Sequence, residues 1–388
     1  MKAPGLGEFG RIREFFAPLA GLGSLDLTDD AALLDCPSGY RLVVTVDQLI
    51  EGVHFLPDDP PDLVGRKLMR RNLSDLAAMG ATPRHYLVTS ALPKTHDDDW
   101  VRRFAQGLCE DQHRYGLALL GGDSTSTSGP AMLTLTAIGH IAAGREIRRE
   151  GAKPGDHVWV SGTIGDAFLG LKVLRGEYPK LAPGHRDPLV GRFRLPEPRC
   201  QLGPALIGIA HAMIDVSDGL VADLGHICET SGVAATIALP RVPLSPAAQA
   251  LASADPGVRA ALVAGGDDYE LLFAAPPDAD EEIASLSSGL GLPITEIGAI
   301  MAGGGVRVVD GNGQDVPLAA EGYHHVRYVK SPAPLSDTTP ASTPTSSRPP
   351  GSPIIAVAAQ HPDWDVNQLA IHFGIPALRI ERALRGRG

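Results

Sequence analysis

Residues 212–227 read AMIDVSDGLVADLGHI, an apolar run broken by Asp215 and Asp218, with Asp223 one helical turn further on. The apolar stretch before Asp215 reads as a strand and the segment after Gly219 as a helix, so the carboxylates stand where one hands over to the other. At such a turn Asp and Ser serve equally well as caps for backbone N–H groups or as ligands for a cation.

The arrangement recurs along the chain. Asp29 and Asp30 lie in LTDDAALL, Asp47 in VVTVDQLIEGVHF and Asp123 in LALLGGDSTSTSG, while NLSDLAAMG places Asp75 on a helix. Taken singly, Asp29, Asp123 and Ser217 read as caps or turn residues, and Asp75 as a solvated position on an amphipathic helix. Their number, with few basic residues beside them, points instead to a metal and phosphate site, because hard cations take carboxylate oxygens and complete their shell with water and phosphates. LLGGDSTSTSG adds glycines and hydroxyls after an apolar run, a form suited to presenting backbone N–H groups to phosphate. It matches neither a P-loop nor a G-x-G-x-x-G fingerprint. AGGDDYELLF reads as a tight turn before a buried strand, and MAGGGVRVVDGNG as a hairpin.

Strand-like runs such as RLVVTVD and AMLTLTAIGHI alternate with helical patterns such as DLVGRKLMRRNLSDLAAMG, the pattern of an α/β protein, and Gly80 stands where that helix should stop. Charge, Gly and Pro cluster in GREIRREGAKPGD, placing a domain break there. The expected division is an amino-terminal domain over 1–148, a second α/β domain over 149–330, a Pro/Ser/Thr linker over 331–354 and a small all-α segment over 355–388. In that last segment Leu369, Ala370, Phe373, Gly374, Ile375, Ile380 and Leu384 follow helix-turn-helix spacing, and Arg379, Arg382, Arg385 and Arg387 fall on its second helix. Packing on a partner or on the rest of the chain is the simpler reading, DNA contact the alternative.

The 388 residues carry a formal charge of −11, which argues against a general nucleic-acid or membrane-surface role. No apolar run approaches the ~20 residues of a membrane span, and MKAPGLGEFGRIREFF lacks a secretory core, so a cytoplasmic protein is expected. Cys36, Cys109, Cys200 and Cys228 show no metal-site spacing.

Taken in order, LTDDAALL, VDQLIEGVHFLPD, NLSDLAAMGATP, LLGGDSTS, GAKPGDHVWVSGTIGDAFLGL, RLPEPR, IDVSDGLVADLGHI, GGDDYELLF and EGYHHV resemble the thiamine-monophosphate kinase family of the aminoimidazole ribonucleotide synthetase-like superfamily. The resemblance implies a two-domain fold whose amino-terminal sheet forms a barrel with that of a second subunit in a homodimer. It implies transfer of the ATP γ-phosphoryl group to thiamine monophosphate, giving thiamine diphosphate directly and in line, with several Mg²⁺ ions. By motif position Asp30, Thr45, Val46, Asp47, Asp75, Asp123, Asp215 and Asp218 are the implied metal ligands. Tyr115, Gly122, Asp123, Arg149 and Ser217 are the implied nucleotide contacts, and His54, Asp267 and Tyr323 the substrate contacts. No covalent catalytic residue is implied. Val46 replaces a residue that carries a hydroxyl in the family, so only its backbone carbonyl is available; Asp267 stands where Glu is frequent, and Ala320 and Glu321 where an aromatic residue is common. Alternatives are another ATP-dependent enzyme of the superfamily, or a nucleotide- or thiamine-phosphate-sensing regulator that binds DNA through its carboxy-terminal helices.

Overall fold

The computed structural model describes residues 6–318 and Gly322. The chain divides into Met1–Val326 and Arg327–Gly388, and every described residue lies in the first. The readings placed on Tyr323, the 331–354 linker and the 355–388 appendage fall outside the described residues.

After the short α1 (Glu8–Arg11), the chain runs β1 (Tyr40–Ile50), α2 (Pro61–Ala78), β2 (Thr82–Leu92), α3 (Asp98–Tyr115), β3 (Ala118–Ser126) and β4 (Met132–Ala142). These strands form one sheet in the order β1-β4-β2-β3, antiparallel except for the β2–β3 pair. Strand alternation gives β1 two different faces. Thr45 and Asp47 share the inner face with buried Leu49, while Tyr40, Leu42, Val44 and Val46 lie exposed on the other. As an edge strand, β1 therefore carries an unpartnered apolar stripe.

The second sheet is built from β5 (His157–Ser161), α4 (Asp166–Leu174), α5 (Pro183–Arg194), α6 (Leu202–Ala205), β6 (Ala212–Asp215), α7 (Leu220–Ser231), β7 (Ala234–Ala238), α8 (Pro246–Ala254), α9 (Pro256–Leu262), β8 (Leu271–Ala275), α10 (Asp280–Leu290), β9 (Ile294–Met301) and β10 (Gly305–Val309). Its order is β10-β7-β9-β5-β8-β6. Both β6 and β8 are buried along their whole length, which is why they read as unbroken apolar runs. Two expectations are refined. MAGGGVRVVDGNG does not fold back at its glycine run: β9 already lies between β7 and β5, so β10 crosses over and pairs in parallel with β7, and the hairpin forms instead across DGNG, where Val309 bridges Asp315 antiparallel and Val316 N donates to Val308 O at 2.8 Å. LLGGDSTSTSG is not an open phosphate loop either, because Gly121, Gly122 and Asp123 continue β3 and pair with Leu87, Val88 and Thr89.

Helix α2 joins the two halves. Pro61 occupies its first turn and Gly80, at φ 74°, lies just beyond its end. Leu68, Met69, Leu73 and Leu76 enter the core of the first sheet, whereas Ala77 and Ala78 pack with Met213 and Phe273 of the second. Because both sides are covered, even Lys67, Arg70, Arg71, Asn72 and Ser74 are buried. Among the described residues no helix is long and apolar enough to cross a membrane.

Candidate active site

The carboxylates at the opening turn do two jobs. Asp223, in the first turn of α7, accepts from the backbone N–H groups of Ser217, Asp218 and Gly219 at 3.0, 3.1 and 3.0 Å. This fixes the turn and leaves Asp215 and Asp218 to face elsewhere. Asp223→Ala strands these donors and is expected to lower stability by about 2–3 kcal/mol, read as a shift in the urea midpoint.

The DVSDG turn is fastened to GGDDYE backbone to backbone. Asp267 N donates to Ser217 O and Tyr269 N to Val216 O, each at 2.8 Å. A Cβ on Gly266 would lie 2.3 Å from Ser217 O, so only glycine allows this approach. Asp267 and Tyr269 adopt φ values of 73° and 53°, a strained conformation for residues with side chains, and this turns alternate side chains in opposite directions. Asp267 faces the cleft, while Asp268 accepts from Gly165 N at 2.7 Å below α4.

From α2 comes a stripe at helical spacing: Lys67, Arg71 and Asp75. The Lys67 ammonium donates to His54 O at 2.9 Å and Asp267 Oδ2 at 3.2 Å, and lies 3.7 Å from the centre of the Phe193 ring. Arg71 Nε donates to Asp47 Oδ2 at 3.3 Å. Asp75 Oδ2 accepts from Thr45 Oγ1 at 2.6 Å, and the neighbouring Ser74 Oγ donates to Asp215 Oδ2 at 2.7 Å. Burial pushes Asp75 up to about 7, with Asp215 repelling it further, and the Thr45 hydroxyl and Arg149 opposing. Burial likewise raises Asp215 to about 6 against the Ser74 hydrogen bond, with Asp223 and Asp47 adding to the rise. Asp267 behaves oppositely: burial works to raise it, but Lys67 and Arg71 outweigh burial and hold it below the usual range.

Of these groups Arg71, Asp75, Asp47, Asp215 and Asp267 line a cleft of about 330 Å³, together with His54, Ser217 and Asp218, with Phe168 and Phe193 as its apolar wall. Asp75 and Asp215 also wall an adjoining cavity of about 570 Å³ with Thr45 and Arg149. The remaining expected residues are elsewhere. Asp30, Gly122 and Asp123 line a separate cavity of about 450 Å³ beside β2 and β3. Tyr115 lies at the end of α3, its hydroxyl donating to Glu197 Oε1 at 3.2 Å beneath the guanidinium groups of Arg70 and Arg114. Val46 projects from the opposite face of β1 to Thr45 and Asp47. The single constellation expected from the sequence is thus divided, and among the described residues no group of three or more His, Cys, Asp or Glu side chains converges to hold a metal ion.

Sequence reasoning missed the cations. Lys67 and Arg71 share a helical stripe with Asp75, a spacing visible in RKLMRRNLSD. It also missed Glu270, fully buried, which accepts from Arg192 Nη2 at 2.7 Å, Arg199 Nε at 2.6 Å and Ser161 Oγ at 2.6 Å. In the same way RLPEPR acts as a strap: Arg194 bonds Asp59, Glu197 bonds Arg70 and Arg114, and Arg199 bonds Glu270.

Comparison with known proteins gives the family. Residues 28–141 match the AIR synthase related protein N-terminal domain, and residues 153–311 the corresponding C-terminal domain. The chain is 42% identical over 323 residues to the thiamine-monophosphate kinase of Caulobacter vibrioides, covering 82% of this chain and 90% of that one. It superposes on the crystal structure of thiamine-monophosphate kinase from Stenotrophomonas maltophilia with a TM-score of 0.70 at 40% identity, over 79% of this chain and 95% of that one. AaThiL complexed with AMPPCP and TMP gives a TM-score of 0.66 at 32% identity, over 84% of this chain and 99% of that one. With matches of this extent, the chain belongs to the thiamine-monophosphate kinase family, on the two-domain AIR synthase related fold.

Proposed function

We propose that this protein transfers the γ-phosphoryl group of ATP to the phosphate of thiamine monophosphate, releasing ADP and thiamine diphosphate. The observation that carries the reading is the cleft in which half-buried Asp75 and buried Asp215 stand with Arg71 and Asp267, the last held by Lys67. One P–O bond forms to the acceptor phosphate as the bond to the β-phosphate breaks, in line, so positioning and charge neutralisation do the work. The reading assigns the triphosphate to the adjoining cavity, which Arg149 and Thr45 line with Asp75 and Asp215. The aromatic rings of the acceptor fit against Phe168 and Phe193, with His54 and Asp267 at the rim.

Several Mg²⁺ ions suit the chemistry of the donor set, because Asp47, Asp75, Asp215 and Asp218 bring carboxylate oxygens to one cleft and hard cations take oxygen ligands. Asp75 and Asp215 would hold such ions, which would supply positive charge to offset that of the phosphates. Asp47 and Asp218 line the same cleft, while Asp30 and Asp123 belong to this set only if the β3 cavity is drawn toward it. The direct test is incubation of the full chain with ATP, Mg²⁺ and thiamine monophosphate, followed by chromatography for thiamine diphosphate. EDTA should abolish the product, and failure to form it at saturation would sink the assignment.

We also propose a cytoplasmic homodimer, the domain division at 148/149, and a tethered helical appendage over 355–388. The stripe Tyr40, Leu42, Val44 and Val46 on an edge strand supports pairing with a second copy. Val44→Glu is expected to halve the mass measured by light scattering; an unchanged mass would place the interface elsewhere.

A further inference from the structure

Among the residues lining the cleft, Arg71 has an unmet hydrogen-bonding need. Its side chain is only 8% exposed, and Nη1 is buried with no hydrogen-bond partner. The bond it does make, Nε to Asp47 at 3.3 Å, is longer than a strong charge-assisted pair. Its ring contact is Tyr269, whose centre lies 5.6 Å from the guanidinium carbon. Burying a guanidinium donor unmatched is costly, and Arg does not escape the cost by losing its proton. Such a group is explained when an acceptor arrives from outside the protein.

The acceptor's chemistry follows from Arg71's place in the stripe. One turn before it, Lys67 is fully engaged by His54, Asp267 and the Phe193 ring. One turn after it, Asp75 meets Thr45 and Asp215's side of the cleft. Arg71 therefore stands between the candidate substrate contacts and the candidate metal carboxylates. Arg149, by contrast, is exposed and lines the adjoining cavity with Thr45, the proposed nucleotide side. A planar guanidinium matches the paired oxygens of a phosphate monoester. We propose that Arg71 binds the acceptor phosphate, donating from Nη1 to a non-attacking oxygen and so aiming another at the nucleotide. This rests on the kinase reading above.

The test uses Arg71→Gln and Arg71→Lys in the full chain. Calorimetry with thiamine monophosphate and with unphosphorylated thiamine isolates the contribution of the phosphate, and steady-state kinetics separate KM for the acceptor from KM for ATP. In Arg71→Gln the acceptor KM and Kd should rise about 10- to 100-fold, with KM for ATP changed less than about 2-fold. Affinity for unphosphorylated thiamine should be unaltered, and Arg71→Lys should fall between, since an ammonium keeps the charge but loses the fork. If Arg71→Gln does not fold, Arg71→Lys carries the same comparison. Equal loss of affinity for thiamine and its monophosphate would mean a structural role, and a rise confined to ATP would assign Arg71 to the donor; either overturns the proposal, as do wild-type constants. Wild-type protein that binds thiamine monophosphate without turning it over counts against the kinase reading, while the calorimetric comparison still decides Arg71.

Discussion

Asp75→Asn should abolish most turnover while making the ligand-free protein more stable. The amide keeps an oxygen for the Thr45 hydroxyl, which donates at 2.6 Å, and keeps the size of the side chain. What it removes is a negative charge shared by the cleft and the adjoining cavity. A fall in kcat on the order of 1,000-fold is expected, the scale on which loss of preorganised electrostatic stabilisation is felt. The stability effect has the opposite sign. Burial, reinforced by Asp215, pushes the Asp75 carboxyl up to about 7 in the folded chain, above the 3.8 of an unperturbed one. Between those values the folded state holds the proton more tightly, so wild-type stability is full below the lower value and is lost as pH rises through the upper. At pH 8 the asparagine variant should therefore exceed wild type by on the order of 2 kcal/mol without divalent ions, and the difference should vanish near pH 4. Thermal melts at the two pH values check this. A variant less stable than wild type at pH 8 would show that the charge is not strained by its surroundings.

Glu270→Ala is the second large effect, and here the loss is structural. Glu270 is fully buried and holds Arg192, Arg199 and the Ser161 hydroxyl together. Truncation leaves two guanidinium groups facing a void, a situation that costs about 3–5 kcal/mol. Glu270→Gln, which retains the shape and one acceptor, should cost less. Urea titration measures both. Because Glu270 is one residue from Tyr269 and its carbonyl accepts from Val216 N, the turn that presents Asp267 should loosen too, raising KM for the acceptor more than for ATP.

The parts of the fold carried by local pattern were legible. The spacing of Leu68, Leu73 and Leu76, the stop at Gly80 and the buried strand after GGDDYE all appear in the structure. Strand partnership was not, because the turn at 302–304 has hairpin composition whether its strand returns to β9 or crosses to β7. Nor was it visible that LLGGDSTSTSG continues a strand, since its glycines and hydroxyls suit a loop equally well. Asp47, Asp75, Asp215, Asp218, Ser217, His54 and Asp267 were singled out in the sequence and share one cleft. The cations among them went unread because Lys and Arg on a helix are ordinarily solvated, and only packing on both sides of α2 buries Lys67 and Arg71. Tyr115 shows the converse: an aromatic picked out by motif whose hydroxyl is held by Glu197 in the structure.

That α2 belongs to both cores also limits how reactants get in and out. A hinge between the halves would have to unpack Leu68 and Leu73 on one side or Ala77 and Ala78 on the other, dissolving apolar contacts that no bound nucleotide replaces. Traffic through the cleft then falls to its exposed lining, Val53 and Arg175, rather than to the helix that both cores share.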